Sequence, residues 1–136
     1  MTDIQATLSA AASGMRAQTV RMRIAAENVA NANSTGASPN EEPFRRRIPL
    51  LESTTLASGA QGVRVTGASL DMSSFREEYN PSHPAADTNG YVRLPNVDTL
   101  VEMMDLREAT RAYEANLNMI EAARSMTTRA LDLLRR

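Results

Sequence analysis

The densest charge in this chain of 136 residues is the triplet Arg45-Arg46-Arg47. Adjacent guanidinium groups can bind a phosphate or an acidic protein surface. A short basic run in a loop is more commonly a solvated edge, and we expect that role here. Across the chain, 15 basic and 16 acidic residues leave a net charge of −1. We therefore expect no nucleic acid partner, since nothing in this balance attracts a polyanion.

Other residue types that support catalysis or metal binding are scattered. His83 is the sole histidine and cysteine is absent, so we expect neither a metal site nor a disulfide. Acidic residues recur between Glu102 and Glu121 at positions typical of a solvated helix face. We find no glycine-rich phosphate loop and no pattern of nucleophile and base. The sequence thus predicts no enzymatic activity, no cofactor, and no catalytic, cofactor-binding or metal residues.

Residues 1–36 predict a helix with a heptad seam. Its large apolar residues fall seven positions apart, and alanines fill most of the interleaved positions. This spacing forms one apolar stripe, which suits either a coiled coil or an ordinary helical bundle. We expect the helix to end within residues 31–36, because Asn and Gly serve as C-caps in left-handed backbone. The seam consists of Leu8, Met15, Met22 and Val29.

Residues 96–136 predict a second, longer helix, with Asn96 or Asp98 as its N-cap. Two neighbouring apolar stripes make its apolar face wider than one partner helix requires, so we expect contacts with more than one neighbour. The first stripe consists of Met103, Leu106, Tyr113, Leu117, Ile120, Thr127, Leu131 and Leu134. Its members other than Thr127, together with Met126 of the second stripe, complete the predicted assembly interface. The second stripe holds Ala109, Ala112, Met119, Ala123, Met126, Ala130 and Leu133.

Residues 37–95 contain all six prolines and predict loops with short strands. Apolar and polar residues alternate from Phe44 to Leu50, and Pro49 indicates an edge strand. Val63 and Val65 alternate in the same way, so a β-hairpin with a long loop is expected. The predicted fold is therefore mainly α, with the two terminal helices paired as a coiled coil around this small irregular or β-hairpin insertion.

The sequence also bears on location. No apolar run approaches the ~20 residues that span a bilayer. The N-terminal segment lacks a basic region followed by a continuous apolar stretch, so we expect no cleaved Sec signal. Its arginines and alanines would also fit a transit peptide, but a transit peptide does not require a matching C-terminal helix.

Taken together, these residues resemble the bacterial flagellar basal-body rod proteins of the FlgC type over nearly the whole chain. Residues 13–36 resemble the family's opening helix, although their Asn-containing element is shared with other rod and hook proteins. Tyr79–Asp98 resembles the segment that distinguishes this rod subunit, and Glu108–Met126 resembles the closing helix. Residues 39–74 resemble the family least. The motif residues are Asn28, Asn31, Asn33, Asp87, Gly90, Tyr91, Asn96 and Asp98.

The resemblance implies a structural subunit of the proximal rod. Copies would assemble helically through their terminal helices, transmit torque and surround the export channel. The implied partners are other copies of the chain, other rod proteins, the export-gate adaptor of the basal body and the surrounding rings. The implied location is the rod that crosses the periplasm, reached through the flagellar type III apparatus without a cleaved signal.

Two other functions fit parts of the sequence. A generic helical adaptor explains the apolar stripes but not the segment Tyr79–Asp98. A membrane-surface amphipathic helix protein predicts that residues 4–32 bind liposomes, which a flotation assay would test. An enzyme is the weakest alternative.

Overall fold

The computed structural model describes residues 2–136 and contains two long helices and two small antiparallel sheets. Helices account for 48% of the chain and strands for 20%. The elements in chain order are α1 (Thr2–Ala30), β1 (Arg47–Thr55), β2 (Gln61–Leu70), β3 (Arg76–Tyr79), β4 (Tyr91–Leu94) and α2 (Thr99–Leu134).

The predicted mainly α fold is wrong, because the chain is mixed α/β. Strands β1 and β2 have nine and ten residues, and together they form a hairpin that packs against α1. Alternating apolar residues and a five-residue turn support longer strands than the prolines suggested. Helix α1 packs against both α2 and this hairpin. The two helices therefore do not form a separate coiled-coil domain from which the middle segment projects as an insertion.

The two helices are antiparallel neighbours. An added Cβ at Gly14 would lie 2.7 Å from the side-chain amide nitrogen of Asn116, and the Thr110 hydroxyl lies 3.5 Å from the sulfur of Met22. The buried alanines of both helices allow their backbones to approach closely. Continuing this register brings the start of α1 level with about residue 128, since both helices rise equally per residue. The last turns of α2 therefore extend beyond α1. The buried alanines are Ala11, Ala17, Ala25, Ala109 and Ala123.

The β1–β2 hairpin contains a bulge that interrupts its register. Leu50 pairs with Gly67 and Leu51 pairs with Val65, so Thr66 is an extra residue in β2. Gly67 has a φ of +149°, which a side chain rarely permits. A hydrogen bond of 3.2 Å from the Val63 backbone N–H to the Ser13 hydroxyl joins this strand to α1.

Helix α1 ends one residue before the predicted stretch and by a different mechanism, and α2 has one of its two predicted N-caps. Helix α1 ends at Ala30, just before residues 31–36. No left-handed cap forms there, because none of residues 31–36 has a positive φ. The Asn31 amide instead donates to the Glu27 carbonyl at 2.9 Å. At the start of α2, Asp98 is the N-cap and accepts from the Leu100 backbone N–H at 3.0 Å.

Among the described residues, neither helix is apolar enough along its length to cross a bilayer.

Candidate assembly interface

Arg46 is the centre of an ion-pair cluster at the base of the helix pair. Its guanidinium contacts the Glu102 carboxylate, and it reaches Asp71 at 3.4 Å and Asp105 at 3.6 Å. The Glu102 side chain is only 2% exposed. Burial lowers the pKa of Arg46, but hydrogen bonds and charges from Glu102 and Asp71 outweigh it and raise that pKa above its ordinary value. The cluster thus fixes the segment before β1 to the first turns of α2.

Asp71 is held in its charged form by several donors. The Ser73 backbone N–H donates to it at 2.9 Å. This bond and one from the Ser73 side chain, followed by the Arg46 guanidinium, lower the pKa of Asp71 against a smaller opposing effect of burial. Asp71 therefore remains ionised, and paired with Arg46, at neutral pH.

Two of the motif asparagines hold the backbone at the start of the hairpin. The Asn28 amide donates to the Arg47 carbonyl at 2.9 Å, and its oxygen accepts from the Arg47 backbone N–H at 3.0 Å. The Asn96 oxygen accepts from the Arg46 backbone N–H at 2.8 Å, and its amide donates to the Asp71 carbonyl at 2.9 Å. Asn28 thus connects α1 to the first residue of β1, and Asn96 connects the segment before α2 to the residues that flank the hairpin, Arg46 and Asp71.

The expectation that Arg45-Arg46-Arg47 forms a solvated edge is wrong for the first two residues. Arg45 stacks on the Phe75 ring at 4.2 Å from its centre and donates to the Asp71 carbonyl at 3.0 Å. Arg47 is the most exposed of the three and reaches Glu27 at 3.5 Å. The triplet is largely used within the chain, and the surface it offers to a phosphate or an acidic partner is small.

The segment Tyr79–Asp98 contains the end of β3, a compact turn over residues 80–90, strand β4 and the residues that lead into α2. The Asp87 carboxylate accepts from the backbone N–H groups of Asn89 and Tyr91, each at 2.9 Å. Gly90 has a φ of +87°, and an added Cβ there would lie 2.8 Å from the Tyr79 ring. The two tyrosine rings meet edge to face at 5.4 Å. These motif residues therefore shape the turn that connects β3 to β4.

The other two motif asparagines lie beyond the end of α1. Asn31 is half-buried, and its side-chain oxygen accepts from the Ser34 hydroxyl at 3.1 Å. Asn33 is exposed.

The face of α2 that packs on α1 follows one strict seam. Its positions are alternately four and three residues apart, which is the spacing of a stripe that faces a neighbouring helix. Every member is buried or half-buried, including the polar residues Glu102 and Asn116. The seam consists of Glu102, Leu106, Ala109, Tyr113, Asn116, Ile120, Ala123 and Thr127.

A different apolar stripe on α2 lies outside this seam and is largely exposed in the part of the chain that the structure describes. Helical spacing places it along one flank of α2, from the first turns to the last. Its large members are all exposed, and its small members are alanines that would admit another helix closely. We call this set the open stripe; it consists of Val101, Met104, Ala112, Ala115, Met119, Ala122, Met126 and Leu133.

The predicted interface residues fall into two groups in the structure. One group is half-buried and lies on the two helices within the chain: Leu8, Met15, Met22, Val29, Leu106, Tyr113 and Ile120. The other is exposed: Met103, Leu117, Met126, Leu131 and Leu134. The predicted seam combined residues from two different faces of α2. The prediction counted only apolar residues, so it missed the polar seam positions Glu102 and Asn116. The alternating spacing of four and three residues that passes through Ala109 and Ala123 could have distinguished the two faces.

No group of His, Asp and Glu in residues 2–136 is arranged to hold a metal ion. His83 instead takes part in its own turn, where its Nδ1 accepts from the Ala85 backbone N–H at 3.0 Å.

Comparison with known proteins identifies two matching families. "Flagella basal body rod protein" matches residues 8–37, and "Flagellar basal body rod FlgEFG protein C-terminal" matches residues 88–133. These ranges contain most of both helices and part of the Tyr79–Asp98 segment. The β1–β2 hairpin lies outside both.

Similar proteins cover nearly the whole chain. The flagellar basal-body rod protein FlgC of Agrobacterium fabrum is 43% identical, across 99% of this chain and 98% of that protein. FlgC of Bacillus subtilis is 38% identical, across 93% and 95%. FlgC of Borreliella burgdorferi is 36% identical, across 94% and 95%.

Proposed function

Because this chain belongs to the FlgC family of flagellar basal-body rod proteins and is a structural subunit of the rod, we propose that it joins the proximal rod through the open stripe of α2. The observation that carries this proposal is the exposure of large apolar residues along the whole length of one helix. Large apolar side chains that recur in exposed positions along one flank of a helix are typical of a protein interaction site.

The energetics favour burial of the open stripe in an assembly. Met104, Met119 and Met126 are 52–63% exposed in the single chain. Complete burial of a Met or Leu side chain contributes about 1.5–3 kcal/mol, so several of them can offset the entropy lost on association. Methionine also adapts its shape to its neighbours, which suits a helix that meets different subunits.

The chain assembles with other flagellar rod proteins in the basal body. We propose that its specific partners are further copies of itself, adjacent rod subunits, the export-gate adaptor and the surrounding rings. We further propose that subunits leave the cytoplasm by the flagellar type III route, stack helically around the export channel and transmit torque. Long helices with wide apolar faces support this role, because each subunit can then resist shear through several contacts.

A non-enzymatic role is part of the proposal. The relatives are named as rod proteins. The most enclosed carboxylate, that of Glu102, pairs with Arg46, and this pair joins the segment before β1 to α2. Their chemistry is that of a structural support.

The test replaces Met119 by Asp in a strain whose own copy has been deleted. A charge in the middle of the open stripe should prevent incorporation, because it cannot be buried without a partner. We expect loss of motility and loss of the subunit from purified basal bodies, with export into the medium preserved. Glu114→Ala, at an exposed position on α2 outside the open stripe, is the matched control and should retain motility.

Two further results separate the parts of the proposal. Normal motility of the Met119→Asp strain would show that the open stripe is not part of the rod interface. In the same strain, Leu117→Asp tests the opposite flank of α2, where the sequence also predicted an interface residue. Wild-type rates of swimming in the Leu117→Asp strain would show that Leu117 lies outside the rod interface.

A further inference from the structure

The sulfur atoms of this chain are all thioethers, because it contains eight methionines and no cysteine. An oxidant that meets the chain therefore finds no thiol that would react first. Met15 and Met22 of α1 are half-buried, and the sulfur of Met22 accepts a hydrogen bond of 3.5 Å from the Thr110 hydroxyl. The methionines with exposed side chains are Met72, Met103, Met104, Met119 and Met126.

Three of the exposed methionines belong to the open stripe. Met104, Met119 and Met126 are 62%, 52% and 63% exposed. The other members of the open stripe are valine, leucine and alanine side chains, which cannot donate a hydrogen bond to a new polar group. Arg107 and Arg111 line the cleft beside Met104 and can donate to an oxygen there. The effect of oxidation should therefore be largest at Met119, in the middle of the open stripe.

Hydrogen peroxide converts an exposed thioether into a sulfoxide. The sulfur lone pair attacks one peroxide oxygen, an S–O bond forms as the O–O bond breaks, and the second oxygen leaves as water with both peroxide protons. The sulfur loses two electrons and the peroxide gains them. The product carries a polar S=O group on a side chain that was apolar and flexible.

We infer that Met104, Met119 and Met126 are oxidation sites of the unassembled subunit, and that their sulfoxides exclude it from the rod. The inference rests on the proposed function, because it requires burial of the open stripe in the assembly. Burial of a sulfoxide without a hydrogen-bond donor costs binding free energy. In an assembled subunit the thioethers are covered, so the same oxidant acts on free subunits and spares the rod. The open stripe thereby admits the subunit only in its reduced form.

The test compares the wild-type chain with a triple variant, Met104→Leu, Met119→Leu and Met126→Leu, in strains whose own copy has been deleted. Leucine keeps the stripe apolar and nearly constant in volume but cannot form a sulfoxide. Each chain is induced with and without hydrogen peroxide at a concentration that permits growth, and its amount in purified basal bodies is measured relative to the amount exported. We expect equal incorporation without peroxide. With peroxide, the wild type should be incorporated about tenfold less than the triple variant.

The double variant Met72→Leu and Met103→Leu is the matched control, since these residues are 78% and 57% exposed and lie outside the open stripe. Its incorporation under peroxide should fall as much as that of the wild type. The inference is overturned if peroxide affects the wild type and the triple variant equally, or if the double variant is protected as well as the triple variant.

A second measurement needs no variant and decides the inference even if the triple variant is not incorporated. Mass spectrometry of the wild-type chain after peroxide treatment should find the sulfoxide of Met119 about tenfold rarer in basal bodies than among exported subunits. Equal fractions in the two pools would also overturn the inference. The proposed function is tested without peroxide, by the Met119→Asp strain. Loss of incorporation in that strain, together with equal effects of peroxide here, would leave the proposed function standing and remove only this inference.

Discussion

The two ends of the helix pair are built in opposite ways. At the base, Glu102 and Asn28 are buried and hydrogen-bonded. The hairpin packs against α1, and Arg46 joins the segment before β1 to α2. At the tip, Leu131 and Leu134 are exposed. The difference shows that the chain completes its own packing at the base and leaves the tip and the open stripe for neighbours. Substitutions at the base should therefore affect the stability of the monomer, and substitutions at the tip should affect assembly.

The largest expected effect on stability is that of Glu102→Ala. Removal of this carboxylate leaves the Arg46 guanidinium in a partly enclosed site without its main ion-pair partner. Breaking one side of a buried ion pair costs about 3–5 kcal/mol, and we expect the free energy of unfolding to fall toward that range. Urea unfolding followed by circular dichroism measures it. Glu121→Ala, on the exposed side of the same helix, should change stability by no more than about 0.5 kcal/mol. Equal small losses in both variants would contradict the account of the base.

Asn28→Ala should have the next largest effect. The substitution leaves the backbone N–H and C=O of Arg47 without their partners, which costs about 1–3 kcal/mol where water cannot replace them. The same urea experiment measures the loss, and the exposed Asn33→Ala is the control. A loss at Asn33 as large as that at Asn28 would show that the two asparagines are not distinguished by their contacts.

A smaller effect on stability is expected at the middle of the contact between α1 and α2. Gly14→Ala gains about 1 kcal/mol of helix propensity but forces the Asn116 side chain to move. We expect little net change in the wild-type background. In an Asn116→Ala background the obstruction is gone, and Gly14→Ala should then stabilise the chain by about 1 kcal/mol. A double-mutant cycle measures this coupling, and additive effects would place Gly14 away from Asn116.

The pH dependence should be the mildest of these effects. The pKa of Asp71 is lowered in the folded chain, so its contribution to stability is complete above its unfolded value of about 3.9 and is lost as the pH falls through the folded value. Arg46 has a raised pKa and stays charged throughout this range, so it adds no slope. The unfolding free energy of Asp71→Asn should decline less steeply than that of the wild type below pH 4. Parallel curves would contradict the pairing.

The sequence predicted the helices well because periodic apolar residues and the Asp98 cap are local signals. It underestimated the hairpin, because the six prolines of residues 37–95 indicated loops with short strands, whereas β1 contains Pro49 and β2 accommodates a bulge at Thr66. The role of Arg46 could not be read from the sequence: its partners Asp71 and Glu102 lie far along the chain and come together only after folding. The two faces of α2 were merged for a related reason, because a polar residue on a packed seam looks like solvent surface until its partner is known.

The central claim is that the open stripe is exposed in the free subunit and buried in the rod. Because the natural chain has no cysteine, Met119→Cys introduces a single thiol on this stripe. Maleimide labelling of that thiol can be compared between the purified subunit, intact basal bodies and the same basal bodies after denaturation. We predict rapid labelling of the free subunit, protection in the intact rod and full labelling after denaturation. Equal labelling of the free subunit and the intact rod would contradict the claim.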